Sequence, residues 1–482
     1  MKYFTIILFL IFSLDVIGEV LPKTKLYTVT DGFCCGGEES DPHAVHGFEV
    51  MNNGFVLSGK SIDSEGTEEG FVIKFPDNLP DDRIFLSPDE EHSFDWVYLF
   101  GSPGKRDGAN GAASIFDSVF VAGYKENNSG VINGYLAKVS LQDGKLKWEK
   151  SFESMSKNKS SAFESILITS DQGLILSGVT NSHKDSFEGF KSYGNPQSGE
   201  TLVMYFDKET LISDNPPKNP SWEIILKNSR SGITIKEITE DNSFAIATKT
   251  NNEEGIAKII KIDSRGKVIW SKKYPNFGEI TDIDISSLSG REDGIFISGH
   301  KHDDFGGIDG SIGKVSLDGK LIWNFSFGNP LGGKNKFSEI KNKNEKMVLD
   351  ECWGISAISD GGAVMACGTG IEECEMFEND NKLYEQCSND PRTTWRSLLI
   401  RVDKNGKQLW QHVDSFAFPG EEDEFDVPST ASEYVFITSD NHIASVVDLG
   451  FGIGLQILEP VSYTHLRAHE TVLDLVCRLL LE

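Results

Sequence analysis

One phrase recurs along this chain: an apolar strand carrying Lys or Arg, then Asp or Ser, a turn containing Gly, and a Trp. It reads Ala137-Lys138-Val139-Ser140-Leu141-Gln142-Asp143-Gly144-Lys145-Leu146-Lys147-Trp148 in one copy and Lys261-Ile262-Asp263-Ser264-Arg265-Gly266-Lys267-Val268-Ile269-Trp270 in another. Lys314 to Trp323 and Arg401 to Trp410 are close copies, and Trp96 and Trp222 mark degenerate ones. Each copy follows an apolar run, a polar turn and a second run that closes on a small residue and Gly, as in Ile166 to Gly178, Asp293 to Gly299 and Ile358 to Gly368. Weaker forms of this first half stand at Asn53 to Gly59, Val119 to Gly123 and Phe244 to Ala247, and Tyr434 to Leu455 opens a further unit that then stops. Gly in these turns supplies the positive φ that a hairpin needs, so the unit reads as four short antiparallel strands.

A unit of this kind has two apolar faces and cannot hide both alone. Copies must stack on one another, and four antiparallel strands favour a propeller blade over a solenoid coil. The expected fold is all-β, a β-propeller of about seven four-stranded blades with the last one truncated, and Lys25 to Gly36 lends a strand to ring closure. The Gly that closes strand two is expected to permit close approach between neighbouring units, and the Trp that starts strand four to supply a face for packing between them.

The Asp-x-x-Gly-Lys-x-x-Trp phrase resembles the pyrroloquinoline-quinone-like (PQQ-like) β-propeller repeat of quinoprotein dehydrogenases and of non-enzymatic scaffold proteins, from about His46 to Leu455. His302 to Val315 also resembles repeats of secreted microbial surface propellers. The resemblance implies architecture; activity requires a site. It also gives the adjacent pair Cys34-Cys35 a meaning, because PQQ dehydrogenases stack the cofactor on a disulfide between neighbouring cysteines. Here the pair precedes the first blade, no calcium-binding carboxylates or catalytic Asp fall at matching positions, and pairing of each with another cysteine is an equal reading. No catalytic, cofactor-binding or metal residue is therefore assigned, and no cofactor is expected.

Met1-Lys2 followed by the apolar run Tyr3 to Phe12 reads as a secretory signal peptide spanning 1–18, with Gly18 at the cleavage site. Residues 19–459 are then the propeller domain. The segment 460–482 abandons the pattern and resembles translated sequencing-adapter read-through, although Leu473, Val476 and Leu480 also fall at helical spacing. No later run of about 20 apolar residues suggests a membrane span.

Export sets the reading of the cysteines. Setting Cys477 aside with the tail leaves Cys34, Cys35, Cys352, Cys367, Cys374 and Cys387, an even set suited to disulfides in an oxidising compartment. Four of them surround the acidic insertion Ile371 to Asp380, where two bridges stapling that loop are expected, with a zinc site as the alternative and the pairing order open. Asn127, Asn158 and Asn324 begin glycosylation sequons, and Asn324 is expected to be the least accessible because it adjoins Trp323.

Charge narrows the partners. With 46 basic against 74 acidic side chains and a net charge of -28, the chain is a poor match for the phosphate backbone, so nucleic acid is not an expected partner. His300, His302, Asp303 and Asp304 form a metal-like cluster, and Glu421 to Asp426 a carboxylate run, but solvated surface explains both. No metalloprotease, serine-hydrolase or nucleotide-binding motif is found. The leading expectation is a secreted or cell-surface, non-catalytic scaffold for a protein or glycan ligand. A PQQ-dependent oxidoreductase and a carbohydrate-binding module are the alternatives. Ligands are expected at the insertions Asn181 to Thr201, Gly328 to Val348 and Gly370 to Thr394, with Trp395 and Arg396 nearby.

Overall fold

The computed structural model describes residues 24–30, 41–51, 53–63, 66–76, 84–86, 94–154, 156–187, 189–191, 198–252, 255–302, 308–327, 349–370, 395–414, 430–449 and 452–458. Strand β1 (Thr24–Thr30) is followed by an antiparallel meander of β2 (Asp41–Glu49), β3 (Phe55–Ile62), β4 (Glu68–Phe75) and, after the short β5 (Ile84–Leu86), β6 (Trp96–Phe100). A second meander comprises β7 (Asp107–Ile115), β8 (Ser118–Glu126), β9 (Ile132–Ser140) and β10 (Leu146–Phe152). The third contains β11 (Lys159–Ile168), β12 (Leu174–His183), β13 (Glu200–Phe206) and β14 (Trp222–Leu226), with helix α1 (Lys208–Ile212) before its last strand. The fourth runs β15 (Thr234–Ile238), β16 (Ser243–Lys249), β17 (Ala257–Asp263) and β18 (Val268–Lys273).

An eight-stranded sheet holds two more meanders. They are β19 (Glu279–Leu288), β20 (Arg291–His302), β21 (Ile308–Val315) and β22 (Leu321–Phe327), then β23 (Leu349–Ala357), β24 (Ala363–Gly370), β25 (Arg396–Val402) and β26 (Gln408–Asp414), joined at the single pair Ile308 and Leu349. The last sheet is β27 (Ala431–Ile437), β28 (Ile443–Asp448) and β29 (Gly452–Leu458), extended by β1, with β5 alongside. The final unit is therefore not truncated: β1 lies antiparallel to β29 from Thr24 opposite Leu458 to Thr30 opposite Gly452 and supplies its fourth strand. An open β29 edge would be a template for aggregation, and the N-terminal strand covers it.

The first strands of these units touch in cyclic order, β2 to β7, β11, β15, β19, β23, β27 and back to β2. The molecule is a β-propeller. Its apolar cores lie between successive sheets. Phe120, Leu136 and Trp148 of one unit pack with Phe163, Leu174 and Phe206 of the next, and Leu57 and Phe71 pack with Phe436 and Leu455 where the ring closes.

The recurrent Trp does pack between units, and its target is the turn glycine of the following copy. A Cβ on Gly144 would lie 2.7 Å from the Trp96 ring, on Gly319 3.0 Å from Trp270, and on Gly406 2.8 Å from Trp323. The indole N–H of Trp96 donates to the Leu141 carbonyl at 2.9 Å, and that of Trp270 to Leu317 at 3.1 Å. In the third unit α1 replaces the turn, and Trp148 donates instead to Ser213 at its C-terminal end. The turn itself is set by Asp263, whose carboxylate accepts the N–H groups of Arg265 and Lys267 while Gly266 takes φ 81°.

The glycine closing strand two has a different role from the one expected. A Cβ on Gly123 would stand 1.9 Å from the Gly108 carbonyl oxygen, and Gly59, Gly178 and Gly299 meet His43, Ala162 and Glu279 in the same way. The close approach is within a sheet, where the first strand bulges. That bulge recurs after Ala44, Ala109, Phe163, Ile280, Cys352 and Ser432. An extra residue there bends the strand and brings its carbonyl over the neighbour.

The cation of strand three is buried against an acid from its own sheet. Lys261 meets Asp241 at 2.5 Å, Lys314 meets Asp293 at 2.9 Å, and Arg401 grips both oxygens of Asp360 at 2.7 and 2.6 Å. Lys138 donates to the carbonyls of Leu211 and Ser213 at the end of α1, 4.0 Å from Asp214.

Candidate functional site

Just past the bulge, several of the bulged first strands carry polar groups inside apolar runs. His46, Ser165 and Asp282 each accept a backbone N–H from the next unit's first strand, those of Ala112 (3.5 Å), Ile235 (3.3 Å) and Ile355 (3.0 Å). One turn of the pleat further on, Asp284 accepts the Ala357 N–H at 2.8 Å and pairs with Lys236 at 3.3 Å. His46 and Tyr434 have ring centroids 4.6 Å apart across the ring closure. His46, Ser165, Asp282, Lys236 and Tyr434 line an axial cavity of about 290 Å³, together with Phe48, Ser114, Thr234 and Lys191.

Titration follows from this crowding. Burial, reinforced by the charges of Lys191 and Lys236, holds His46 well below its ordinary value, so the neutral ring is the acceptor its contact with Ala112 requires. Burial raises Asp282 against the opposing charge of Lys236. Burial pulls Lys236 down most strongly, but the charges of Asp284, Tyr434 and Asp282 together, with the Asp284 hydrogen bond, hold it above the usual lysine range. The side chains of Lys236 and Asp284 are each 21% exposed.

Lys191 comes from the insertion between β12 and β13. Buried Asn110, the bulge residue of β7, donates to the carbonyls of Phe163 (2.8 Å) and Gly189 (2.9 Å) and accepts the Lys191 N–H (3.0 Å). The Lys191 ammonium then donates to the Glu164 carbonyl at 3.1 Å. The insertion is thereby tied to the axis.

Around Lys191 lies the mouth at the end where strand two turns to strand three. His43 bonds Asp448 at 2.6 Å. Burial, then the neighbouring charges of Asp448 and Glu351, with His43 opposing, push Glu433 up to about 8. Trp353, the bulge residue of β23, lies 6.1 Å from Trp395 between ring centroids, and both rings cover Gly368. The Trp395 carbonyl accepts the Thr430 N–H at 2.8 Å. Half-buried indoles beside carboxylates can stack on a flat apolar face while hydrogen-bonding polar groups at its rim.

The cysteines need a correction. Cys352 and Cys367 form a disulfide between paired residues of β23 and β24, so this bridge crosses a hairpin inside the sheet and does not staple the acidic insertion. The two positions face each other in register, and the loop lies beyond the end of β24. Cys34, Cys35, Cys374 and Cys387 lie outside the described residues, as do Asp303, Asp304 and Glu421 to Asp426. His300 stands 3.9 Å from Glu279, and the His302 side chain is outside the described set. Among the described residues, no group of three or more His, Cys, Asp or Glu side chains is arranged to hold a metal.

Asn127 caps its own turn, accepting the N–H groups of Ser129 (2.8 Å) and Val131 (3.2 Å). Asn158 is exposed with φ 58°. Asn324, expected to be the least accessible of the three, is exposed, whereas Asn127 is half-buried: Trp323 points into the seam, and its neighbour on the pleat points outward.

The mouth residues His43, Lys191, Glu351, Trp353 and Glu433 were not singled out by sequence reasoning. The available signal was a charged residue interrupting an apolar run, as in Ser432-Glu433-Tyr434-Val435.

No protein-family model matches the chain, and no curated protein does. Solved structures with a similar fold include hydrazine synthase of Kuenenia stuttgartiensis, at 8% identity, covering 88% of this chain and 97% of that one with a TM-score of 0.47. They also include the quinohemoprotein alcohol dehydrogenase ADHIIG of Pseudomonas putida HK5, at 8% identity, 89% and 77% coverage and a TM-score of 0.43. BamB of Moraxella catarrhalis matches at 9% identity, 86% and 85% coverage and a TM-score of 0.39.

Proposed function

We propose that the chain is an exported protein whose single domain, residues 19–459, is a ring of seven four-stranded blades, and that it works as a non-catalytic scaffold binding a protein or glycan. The observation that carries this reading is the mouth. Trp353 and Trp395 lie 6.1 Å apart between ring centroids, and on the neighbouring first strand Glu433 feels the charges of Asp448 and Glu351, at the end of the ring where the chain enters and leaves its longest insertions. Aromatic faces with polar rims suit a sugar ring or a peptide side chain, and loops on a rigid ring are where such recognition is built. Export is supported by the leader-like residues 1–18 and by the Cys352–Cys367 bridge, which an oxidising compartment favours. Among the described residues no helix is long and apolar enough to cross a membrane.

A glycan array probed with the secreted protein tests this reading, with Trp395→Ala as comparison. Retention that the variant loses while its circular dichroism stays unchanged is the expected result. Dye-linked oxidation of alcohols or sugars after adding PQQ and Ca²⁺ would overturn it in favour of a quinone-dependent oxidoreductase.

A further inference from the structure

The outer strands differ in how they guard their free edges. β10 carries Lys147, Glu149 and Lys150, β14 carries Glu223, and β18 carries Lys272 and Lys273. β6 has no charge, but Trp96, Tyr98 and Phe100 are buried. β22 has neither device. Its sequence Leu-Ile-Trp-Asn-Phe-Ser-Phe is uncharged, Leu321, Ile322 and Phe325 are 38%, 51% and 44% exposed, and among the described residues it pairs with β21 alone. An apolar, uncharged edge is a template for pairing with another chain, and natural proteins blunt such edges.

Asn324-Phe325-Ser326 is a sequon at the centre of this strand. Asn324 and Ser326 are both exposed, on the pleat face opposite Trp323, and the exposed Ile322 precedes them at a bulge. We propose that Asn324 carries an N-linked glycan that shields β22, a bulky hydrophilic substitute for the missing charges. This rests on the exported reading above. In the step that installs it, the Asn324 side-chain nitrogen bonds to the anomeric carbon of an oligosaccharide held on a lipid pyrophosphate. The sugar–phosphate bond breaks, the lipid pyrophosphate leaves with the bonding pair, and the amide gives up one proton.

The full chain, expressed in a eukaryotic secretory host, is analysed by peptide mass spectrometry after enzymatic deglycosylation in heavy-oxygen water. The expected result is label at residue 324. Enzymatic removal of the sugar from folded protein, or Asn324→Gln, then shifts the protein from monomer to larger species in light scattering, whereas Asn127→Gln does not. Adding Ile322→Lys to Asn324→Gln restores the monomer, because a charge replaces the glycan. Secreted protein with bare Asn324, or stripped protein that stays monomeric, overturns the proposal alone. A chain never delivered to the secretory pathway overturns it together with the exported reading.

Discussion

At one end of the ring the connections are short and nearly identical. Asp360-Gly361 and Asp403 to Gly406 close hairpins with the same backbone bonds, Gly361 to Ile358 and Gly406 to Asp403. Two longer connections there contribute packed pieces, since Ile84–Leu86 pairs with β1 and α1 in 207–221 meets Trp148 and Lys138. At the other end, residues 31–40, 328–348, 371–394 and 415–429 join successive strands with segments of unlike length and charge. The difference shows that the repeat constrains only what a neighbouring unit touches. The turn end carries the Trp-to-Gly contact and the buried cations, so it cannot vary without loss; the insertion end is released from that demand and is free to specialise.

The contrast breaks most sharply at a seam. Trp96→Ala removes a buried indole and its bond to Leu141, and is expected to cost about 4 kcal/mol, read as a fall in urea midpoint. A loss below about 1 kcal/mol would mean that the seams do not hold the ring. Asp360→Ala strands the fully buried Arg401 guanidinium and should cost about 3 kcal/mol, less if the Ala363 carbonyl compensates.

Glu433 sharpens the comparison from the mouth. Its carboxyl titrates near 8 when folded against 4.5 ordinarily, so the folded state keeps a proton that the unfolded chain releases. That contribution to stability is complete below pH 4.5 and is lost as pH rises through about 8. Glu433→Gln is therefore expected to gain on the wild type as pH climbs through this window, and melting curves that stay parallel across it would refute the buried-carboxyl assignment. The smallest effect belongs to the acidic run. Neutralising Glu421, Glu422, Asp423, Glu424 and Asp426 together should move the urea midpoint by less than about 0.5 kcal/mol of stability, and a larger fall would show that the insertion end also supports the fold.

Much of the architecture was legible because packing between repeats leaves a periodic trace. Trp148, Trp270 and Trp323 sit at fixed offsets from Gly144, Gly266 and Gly319, and those offsets reported seams before any coordinates. The closing strand β1 was legible as a segment, but not its pairing with β29, which also shows the last unit to be whole. The glycine of strand two was misread because its obstacle is a carbonyl displaced by a bulge, and a bulge leaves no residue signature of its own. The mouth was partly legible. Trp395 stood out as an aromatic beside an insertion, whereas Trp353, Glu433, Lys191 and His43 are far apart in the chain and become neighbours only around the axis.

By itself, then, the order of residues determined the unit, its strands and the stacking of one copy on the next. These depend on local alternation, turn chemistry and contacts that every unit repeats. Tertiary structure decided what lies on the axis, which cysteines meet, and that Asn324 faces outward from an unguarded edge. Each is a relation between positions with no fixed spacing, set by ring closure and by the bulge that reorients the first strand.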